Sequence, residues 1–337
     1  MKKERKYIVP ILIVGLLVAI LLSTMGGRYP ISSADLFRLF YEKLSGISSG
    51  VDEVTKMVFW EVRFPRMMAA VLIGAALAVS GASYQGILRN PMVAPDILGA
   101  SSGASFGAAV GILFGCNALT IQLLAFAGGL TAVGITFIVS HSAGDRGSIL
   151  MLVLAGMVVT SLFSAGISII KYLGDPYDTL PALTFWLMGG LTYVTQQDVW
   201  ILMIPFLIGV IPLQLLRWKM NILCFQDEEA ESMGIDAKKT RGMVILFATL
   251  LTSSSVAVGG MIGWIGLVIP HICRMLAGPD YRKLLPATMV SGALFLLLVD
   301  DLARCLSAQE LPLGVLTAVI GAPCFLFQLY KGRRGFI

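Results

Sequence analysis

Long apolar runs separated by short polar segments dominate the pattern of this chain. A helix that spans a bilayer needs about 20 mostly apolar residues, because it rises about 1.5 Å per residue through about 30 Å of hydrocarbon. Runs near that length recur along the sequence and predict ten spanning helices. They lie at about 7–25, 58–82, 94–114, 119–140, 148–170, 197–217, 242–260, 262–277, 284–303 and 311–330. The pattern therefore predicts an all-α polytopic membrane protein that forms a single transmembrane domain over residues 1–337.

The longer polar segments between these runs have patterns of their own. Residues 33–44 contain an LFRLFY run and predict a surface helix whose N-terminus is capped by Ser32 or Ser33. Residues 171–195 form a second long external stretch, with two prolines and a Gly-Gly pair. The 217–241 loop places acidic residues before basic ones, which suits one or two short helices through their dipoles. A solvated loop is the alternative.

Composition supports a membrane location. Of the 337 residues, 57% are hydrophobic and 13% are charged, whereas soluble domains average about 25% charged residues. The mean hydropathy is +0.84, and the 36 glycines would let membrane helices pack closely. The net charge of +5 could indicate nucleic-acid binding, but the basic residues lie in short loops between apolar runs, so no nucleic-acid partner is predicted.

No small-residue cleavage site follows the first run before Arg28, so we expect that run to be retained.

The distribution of Lys and Arg predicts the orientation in the membrane. With the amino terminus inside, 17 of the 25 basic side chains fall in internal segments and eight in external ones. Cytoplasmic loops of membrane proteins carry such an excess of basic residues. Both termini are therefore expected in the cytoplasm, in agreement with an even number of spans.

The sequence lacks the motifs of several reaction classes. It has no GxxxxGK[ST] loop, so ATP would have to be hydrolysed by another polypeptide, and it has no HExxH motif or aspartate dyad typical of an intramembrane enzyme. His141 and His271 have no partner at metal-ligand spacing, so neither a metal nor a cofactor is predicted. Apart from Asp300 and Asp301, the span interiors carry no carboxylate for a coupling ion, which disfavours an ion-coupled secondary transporter. Asp300 could instead pair with Arg304 at i,i+4.

Residues 63–103 carry the most specific pattern in the chain. This segment contains RFPR at 63–66, GAALA at 74–78, NP at 90–91 and LG at 98–99. Later pieces are WLMG at 186–189, GLVIPHICR at 266–274, ELPLG at 310–314 and GAPCF at 321–325. Together they closely resemble the signature of the permeases that import iron–siderophore complexes, haem and vitamin B12, known as iron-chelate uptake permeases. The resemblance covers nearly the whole chain after residue 58.

The resemblance implies an architecture and a set of partners. The family has the type II permease architecture of ATP-binding-cassette (ABC) importers, with ten helices per subunit and two copies side by side. Two ATPase subunits bind on the cytoplasmic side, and an extracytoplasmic substrate-binding protein docks outside. The chain is therefore expected to be a multi-pass permease in the cytoplasmic (inner) membrane of a bacterium or archaeon, surrounded by membrane lipid, and not itself an enzyme.

Three arginines are expected at the outer ends of helices. Arg63 and Arg66 flank Pro65 at the start of the second span, and Arg304 lies just outside the ninth. The resemblance implies that they dock the binding protein, because the vitamin B12 permease uses the arginines at these positions. The planar guanidinium suits this role, since it pairs bidentately with carboxylates. The alternative is that these side chains snorkel to the membrane interface.

The 217–241 loop is expected to contact the ATPase. Glu228, Ala230 and Gly234 resemble the Glu-x-Ala and following Gly by which importer permeases of this class grip their ATPase. A bulky residue at Gly234 or Ala230 would then prevent close approach of the two proteins.

The turn after the second span is expected to form a cytoplasmic gate. Pro91 and Pro95 separate the second and third helices, because proline lacks an amide proton and clashes with the preceding turn. The resemblance implies that Asn90 and Met92 meet their copies across a two-fold axis. A tight polar turn without a gating role is the alternative.

The cargo is left open at this point. The expected pathway is weakly polar, with Gln85 and hydroxyl side chains, and suits a bulky chelate selected by the binding protein. Some members of the family carry molybdate or tungstate instead. An oxyanion importer of the same architecture is therefore the second candidate, and an ion-coupled secondary transporter is a remote one.

Overall fold

The computed structural model describes residues 7–27, 29–47, 50–142, 149–306 and 309–332, and within these ranges the chain forms helices and their connections. The helices are α1 (Ile8–Met25), α2 (Ser33–Ser45), α3 (Glu53–Met57), α4 (Phe64–Ile87), α5 (Ala100–Leu113), α6 (Ala118–Ser142), α7 (Ile149–Leu173), α8 (Thr179–Met188), α9 (Gln196–Leu223), α10 (Asp227–Ser232), α11 (Ala237–Gly259), α12 (Ile265–Ala277), α13 (Tyr281–Leu306) and α14 (Leu313–Gly332). A π-helical segment, Val58–Arg63, joins α3 to α4 in one continuous helix, Glu53–Ile87. The all-α class predicted from the sequence is confirmed.

Each of the ten predicted spans overlaps one of these helices. Within the described ranges, six helices have the length and apolar composition to cross a membrane: α1, Glu53–Ile87, α6, α7, α9 and α11. Helix α13 is 26 residues long but carries charged side chains near both ends, and α5, α8 and α12 are shorter apolar helices. The number of helices that cross the membrane completely stays a prediction.

Helix α4 lies at the centre of the bundle. All but three of its 24 residues are buried, and it packs against α9, α11, α12 and α13. Polar side chains on α4 are paired within the core, because an unpartnered polar group in an apolar interior is costly. The Ser80 and Thr252 hydroxyls lie 2.6 Å apart, and the Tyr84 and Thr249 hydroxyls 2.7 Å apart, so both pairs join α4 to α11.

Glycine pairs allow neighbouring helices to approach at backbone distance. A side chain on Gly74 of α4 would collide with the Gly292 carbonyl of α13, and one on Gly103 of α5 would collide with the Gly128 carbonyl of α6. Membrane helices gain no hydrophobic driving force for association from lipid, so such close van der Waals contact is a main source of stability. Close helix packing therefore explains why glycine occupies these positions.

Side-chain caps fix where several helices begin. Ser32 caps α2, because its hydroxyl oxygen accepts a hydrogen bond from the Asp35 amide at 3.1 Å, and this confirms one of the two predicted caps. Thr195 and Asp198 form a reciprocal capping box at the start of α9. Asp236 caps α11 by accepting from the Lys239 amide at 2.8 Å. These side chains satisfy amide groups that a helix N-terminus leaves without partners.

The 171–195 stretch contains a helix that the apolar pattern did not predict. Helix α8 occupies ten residues of it and ends at Gly189, which has a left-handed φ of 68°. The Gly189 carbonyl accepts from the Leu313 amide, and the Gly190 amide donates to the Gly259 carbonyl, both at 2.9 Å. The end of α8 therefore meets the end of α11 and the start of α14.

Two other boundaries differ from those predicted. The third span was expected from residue 94, but α5 begins at Ala100, because Pro95 precedes it and Gly99 adopts a left-handed φ of 88°. The internal loop was expected over 217–241, but α9 continues to Leu223 and α11 already begins at Ala237. The polar connection is shorter than predicted, and α10 lies within it, as one of the expected short helices.

Candidate functional site

Arg66 lies at the centre of a charged cluster at one end of the bundle. Its Nε atom donates to both carboxylate oxygens of Asp300 at 2.9 and 3.0 Å, and its Nη1 atom donates to Glu310 Oε2 at 2.7 Å. Glu310 Oε2 also accepts from the Thr192 hydroxyl at 2.7 Å. Asp300 is fully buried, and the Arg66 side chain is 6% exposed. The cluster therefore joins α4, α13 and the connections before α9 and α14.

Arg63 and Arg304 extend this cluster towards α1. Arg63 donates to the carbonyl of Thr24 at 2.6 Å and to that of Tyr29 at 2.8 Å, which places a cation beside the C-terminal carbonyl groups of α1. Arg304 forms an ion pair with Asp301 and lies 3.3 Å from Asp300, as the i,i+4 spacing predicted. The three arginines predicted to dock a binding protein are thus brought together.

The three arginines are largely buried, and each guanidinium is already bonded within the chain. Arg63 and Arg66 are buried, and the Arg304 side chain is 12% exposed. Sequence reasoning missed the acceptors Glu310 and Thr24, because these residues are distant in the chain. The docking role stays a prediction. The arrangement shows in addition that the arginines join the end of α1, the start of α4 and the end of α13 to the connections before α9 and α14.

A second charged cluster lies at the opposite end of α4. Asp227, the first residue of α10, accepts two hydrogen bonds from Arg241 at 2.7 and 3.1 Å and one from Arg89 at 2.5 Å. Arg89 also donates to the carbonyl of Leu223, at the end of α9. The hydrogen bonds from Arg241, with those from Arg89, hold the pKa of Asp227 below its usual range. Asp227 therefore stays ionised near neutral pH and joins α10 to the ends of α4, α9 and α11.

Helix α10 presents some of the predicted coupling residues to solvent and buries another. Glu228 and Gly234 are exposed, whereas Ala230 is fully buried and packs α10 onto the bundle. Gly234 has a left-handed φ of 78°, and no atom lies near the position of an added Cβ. Phe225 and Met233 flank α10 with about half of each side chain exposed, at 52%. The assignment of this segment to an ATPase contact stays a prediction. The buried Ala230 packs against the bundle and is not available for that contact in this structure.

The turn predicted to gate the pathway is rigidly held. The Asn90 side chain accepts from the Met92 amide at 2.9 Å, and the Asn90 amide donates to the Gln85 carbonyl at 3.1 Å. Gln85 also donates to the Val93 carbonyl and accepts from Arg274 of α12. Asn90 and Met92 are exposed, so this chain alone leaves the turn uncovered. The gating role stays a prediction.

A cavity of about 340 Å³ lies between α7 and the start of α5. Its polar lining consists of hydroxyl side chains and two charged groups: Asp96, Ser101, Ser102, Thr160, Ser164, Ser168 and Lys171. The sequence contains a signal for this lining, because Ser161, Ser164 and Ser168 recur at helical spacing on α7. This spacing places them on one face of a helix that is otherwise apolar.

These features describe a multi-pass membrane protein with charged clusters at both ends of its central helix. Comparison with known proteins gives the family. The molybdate import system permease protein of Haemophilus influenzae is 38% identical to this chain over 320 residues, which cover 95% of this chain and 94% of that protein. A Helicobacter pylori protein named as a probable iron chelatin transport system permease is 38% identical over 295 residues, with 88% and 86% covered.

A solved structure is also similar over nearly the whole chain. It is described as an inward-facing conformation of an ABC transporter assigned to the metal-chelate type. It matches with a TM-score of 0.87 and 36% identity, covering 97% of this chain and 99% of that one. Residues 15–331 match the FecCD transport family. The chain belongs to this family and is the permease subunit of an ABC importer, whose ATPase is a separate subunit.

Proposed function

We propose that this permease carries a metal chelate of the iron–siderophore, haem or cobalamin type into the cytoplasm. The single observation that supports a pathway through this chain is the polar stripe of Ser164, Ser168 and Lys171 on α7. These side chains are exposed on a long apolar helix, where the charge of Lys171 would be costly against lipid. The Ser168 hydroxyl donates to the Ser164 carbonyl at 3.0 Å, so its own cost against lipid would be small. A hydroxyl-rich wall can accept a bulky ligand through many weak contacts and release it again.

The stripe also supports a second copy of the chain as a partner. A water-filled pathway needs a second wall, and a copy placed with its own α7 opposite would supply one by two-fold symmetry. The gate would then be formed by Asn90 and Met92 of both copies. The proposed pathway and gate require no cofactor.

Two further partners complete the proposal. Two cytoplasmic ATPase subunits would bind around α10, using the exposed Glu228, Gly234, Phe225 and Met233. An extracytoplasmic binding protein would dock on the rim held by Arg63, Arg66 and Arg304. Both termini, which lie outside the described residues, would face the cytoplasm, and the protein would reside in the cytoplasmic membrane.

A molybdate-type oxyanion is the second candidate cargo. Lys171 lies in the cavity together with serine hydroxyls, and this combination of a cation and donors suits a tetrahedral oxyanion. The Haemophilus influenzae relative, named for molybdate import, favours the same cargo for this chain. Asp96 in the same lining works against an anion, because like charges repel.

Binding measurements on the partner binding protein would separate the two cargoes. We expect ferric chelates or cobalamin to bind that protein tightly and to stimulate ATP hydrolysis by the assembled complex, and molybdate to do neither. Tight binding of molybdate with stimulated hydrolysis would replace the chelate by the oxyanion. Stimulation by neither cargo would contradict both.

A further inference from the structure

Arg89 directly precedes the Asn90–Met92 turn and has an unusual backbone conformation. Its φ of 50° lies in the left-handed region, which L-residues other than glycine seldom adopt. Such a conformation persists only where the surroundings hold it in place. At Arg89 the guanidinium does so, because it donates to the Leu223 carbonyl at 3.1 Å and to Asp227 at 2.5 Å.

The turn beyond Arg89 has little freedom of its own. Asn90 is bonded to the Gln85 carbonyl and to the Met92 amide, and Gln85 holds the Val93 carbonyl. A displacement of Arg89 would therefore carry the turn as a unit. Because Arg89 is adjacent to Asn90 in the chain, no flexible residue separates the two.

Asp227 connects Arg89 to the part of the protein that would touch the ATPase. It is the first residue of α10, a helix that also carries the exposed Glu228 and Glu231. A shift of α10 thus reaches Arg89 through one carboxylate.

The two arginines on Asp227 differ in their burial. Arg241 has a side-chain exposure of 6% and binds both carboxylate oxygens, so it suffices to neutralise Asp227 and fix α10 on α11. Arg89 has a side-chain exposure of 28% and binds one of those oxygens. The contact with Arg89 is therefore not required to keep α10 in place.

We propose that the Arg89–Asp227 contact is a positioning link that transmits movement of α10 to the Asn90–Met92 turn. This inference rests on the proposed function, because it assumes that an ATPase moves α10 and that the turn gates the pathway. Neither residue touches the cargo in this account. Their role is to keep opening of the gate in step with ATP hydrolysis.

Arg89→Gln in the assembled complex tests the link. The variant removes the charge but leaves Arg241 on Asp227, so we expect assembly and ATP hydrolysis stimulated by loaded binding protein to match the parent. Cargo transported per ATP should fall by at least about fivefold, the lower end of typical coupling between sites. Arg89→Lys should restore part of the loss, and Arg282→Gln, an exposed arginine near the start of α13, should have no effect.

The outcomes separate the link from the proposed function. If the parent complex does not take up cargo with ATP, the proposed function fails. If the parent works and Arg89→Gln transports as much cargo per ATP as the parent, the link is wrong. Should Arg89→Gln not assemble, Arg89→Met, which keeps a long side chain but cannot donate to Asp227 and leaves Arg241 on that carboxylate, provides the same readout. Loss of assembly in both variants would overturn the link by showing that the contact is purely structural.

Discussion

Arg66 illustrates how a single residue stabilises the end of the bundle where α4 begins. Replacing it by Gln leaves the fully buried Asp300 with the more distant Arg304 as its one cationic partner among the residues that the structure describes. Breaking a buried ion pair by removing one partner costs about 3 kcal/mol or more, because it leaves an uncompensated charge. We expect Arg66→Gln to lower the free energy of unfolding by about that amount in detergent solution.

The control for this prediction is Arg38→Gln. Arg38 forms an exposed i,i+3 pair with Asp35, and exposed pairs contribute about 0–1 kcal/mol. The double variant with Asp300→Asn should recover part of the stability lost in Arg66→Gln. If Arg66→Gln unfolds at the same denaturant concentration as the parent, the cluster does not stabilise the fold.

Gly234 gives a second prediction at the scale of the residue. Its φ of 78° strains any other residue, although there is open space for a side chain. Gly234→Ala should therefore cost about 1 kcal/mol of local stability, while Gly234→Arg should abolish transport without preventing membrane insertion. Gly242 has equal space but lies within α11, so Gly242→Ala should be neutral or slightly stabilising. Full transport by purified Gly234→Arg complexes would remove Gly234 from the ATPase contact.

The sequence identified residue types at these sites better than it identified their partners. Arg63, Arg66 and Arg304 stood out by their expected positions at helix ends, and the Asp300–Arg304 contact followed from helical spacing. Glu310 is 244 positions from Arg66, and Asp227 is 138 positions from Arg89. Only the packing of the helices brings such residues together, and a single sequence does not contain that information.

At the scale of the element, the serine face of α7 and the face that carries Leu162 are expected to have different surroundings. Ser164 and Ser168 should line a water-accessible path, whereas Leu162 points away from them and is expected to face lipid. In a background without the five native cysteines, Ser164→Cys and Ser168→Cys should react with a small hydrophilic thiol reagent. Leu162→Cys should react at least about tenfold more slowly, because thiolate formation requires water. Equal rates at all three positions would show that the stripe lines no path.

The apolar pattern predicted the long helices and missed α8 for a physical reason. Periodicity and length detect a helix that crosses the membrane, because such a helix needs about 20 apolar residues. Helix α8 has ten residues, includes Pro181 and follows the polar Asp175–Asp178 turn, so it has the composition of a connection. Its helical state depends on contacts with α5, α7 and α14, which the local sequence does not reveal.

The predicted orientation of the whole molecule rests on the distribution of Lys and Arg and needs a direct test. Single cysteines at Tyr177 and Met233 would both be well exposed in the folded chain, with 92% and 52% of the present side chains accessible. We expect Tyr177→Cys to react with an impermeant thiol reagent in intact cells. In cells that express the permease without its ATPase, Met233→Cys should react only after the membrane is opened. The reverse pattern would place α10 outside and exclude the proposed ATPase contact.

The central claim is that a separate ATPase drives cargo inward through this permease. Its most direct test is uptake into proteoliposomes that contain the purified permease–ATPase complex, with loaded binding protein outside and ATP inside. The account predicts uptake that requires both the binding protein and ATP hydrolysis, and that continues when proton and sodium gradients are collapsed by ionophores. Uptake by the permease alone, driven by an ion gradient and indifferent to ATP, would contradict it.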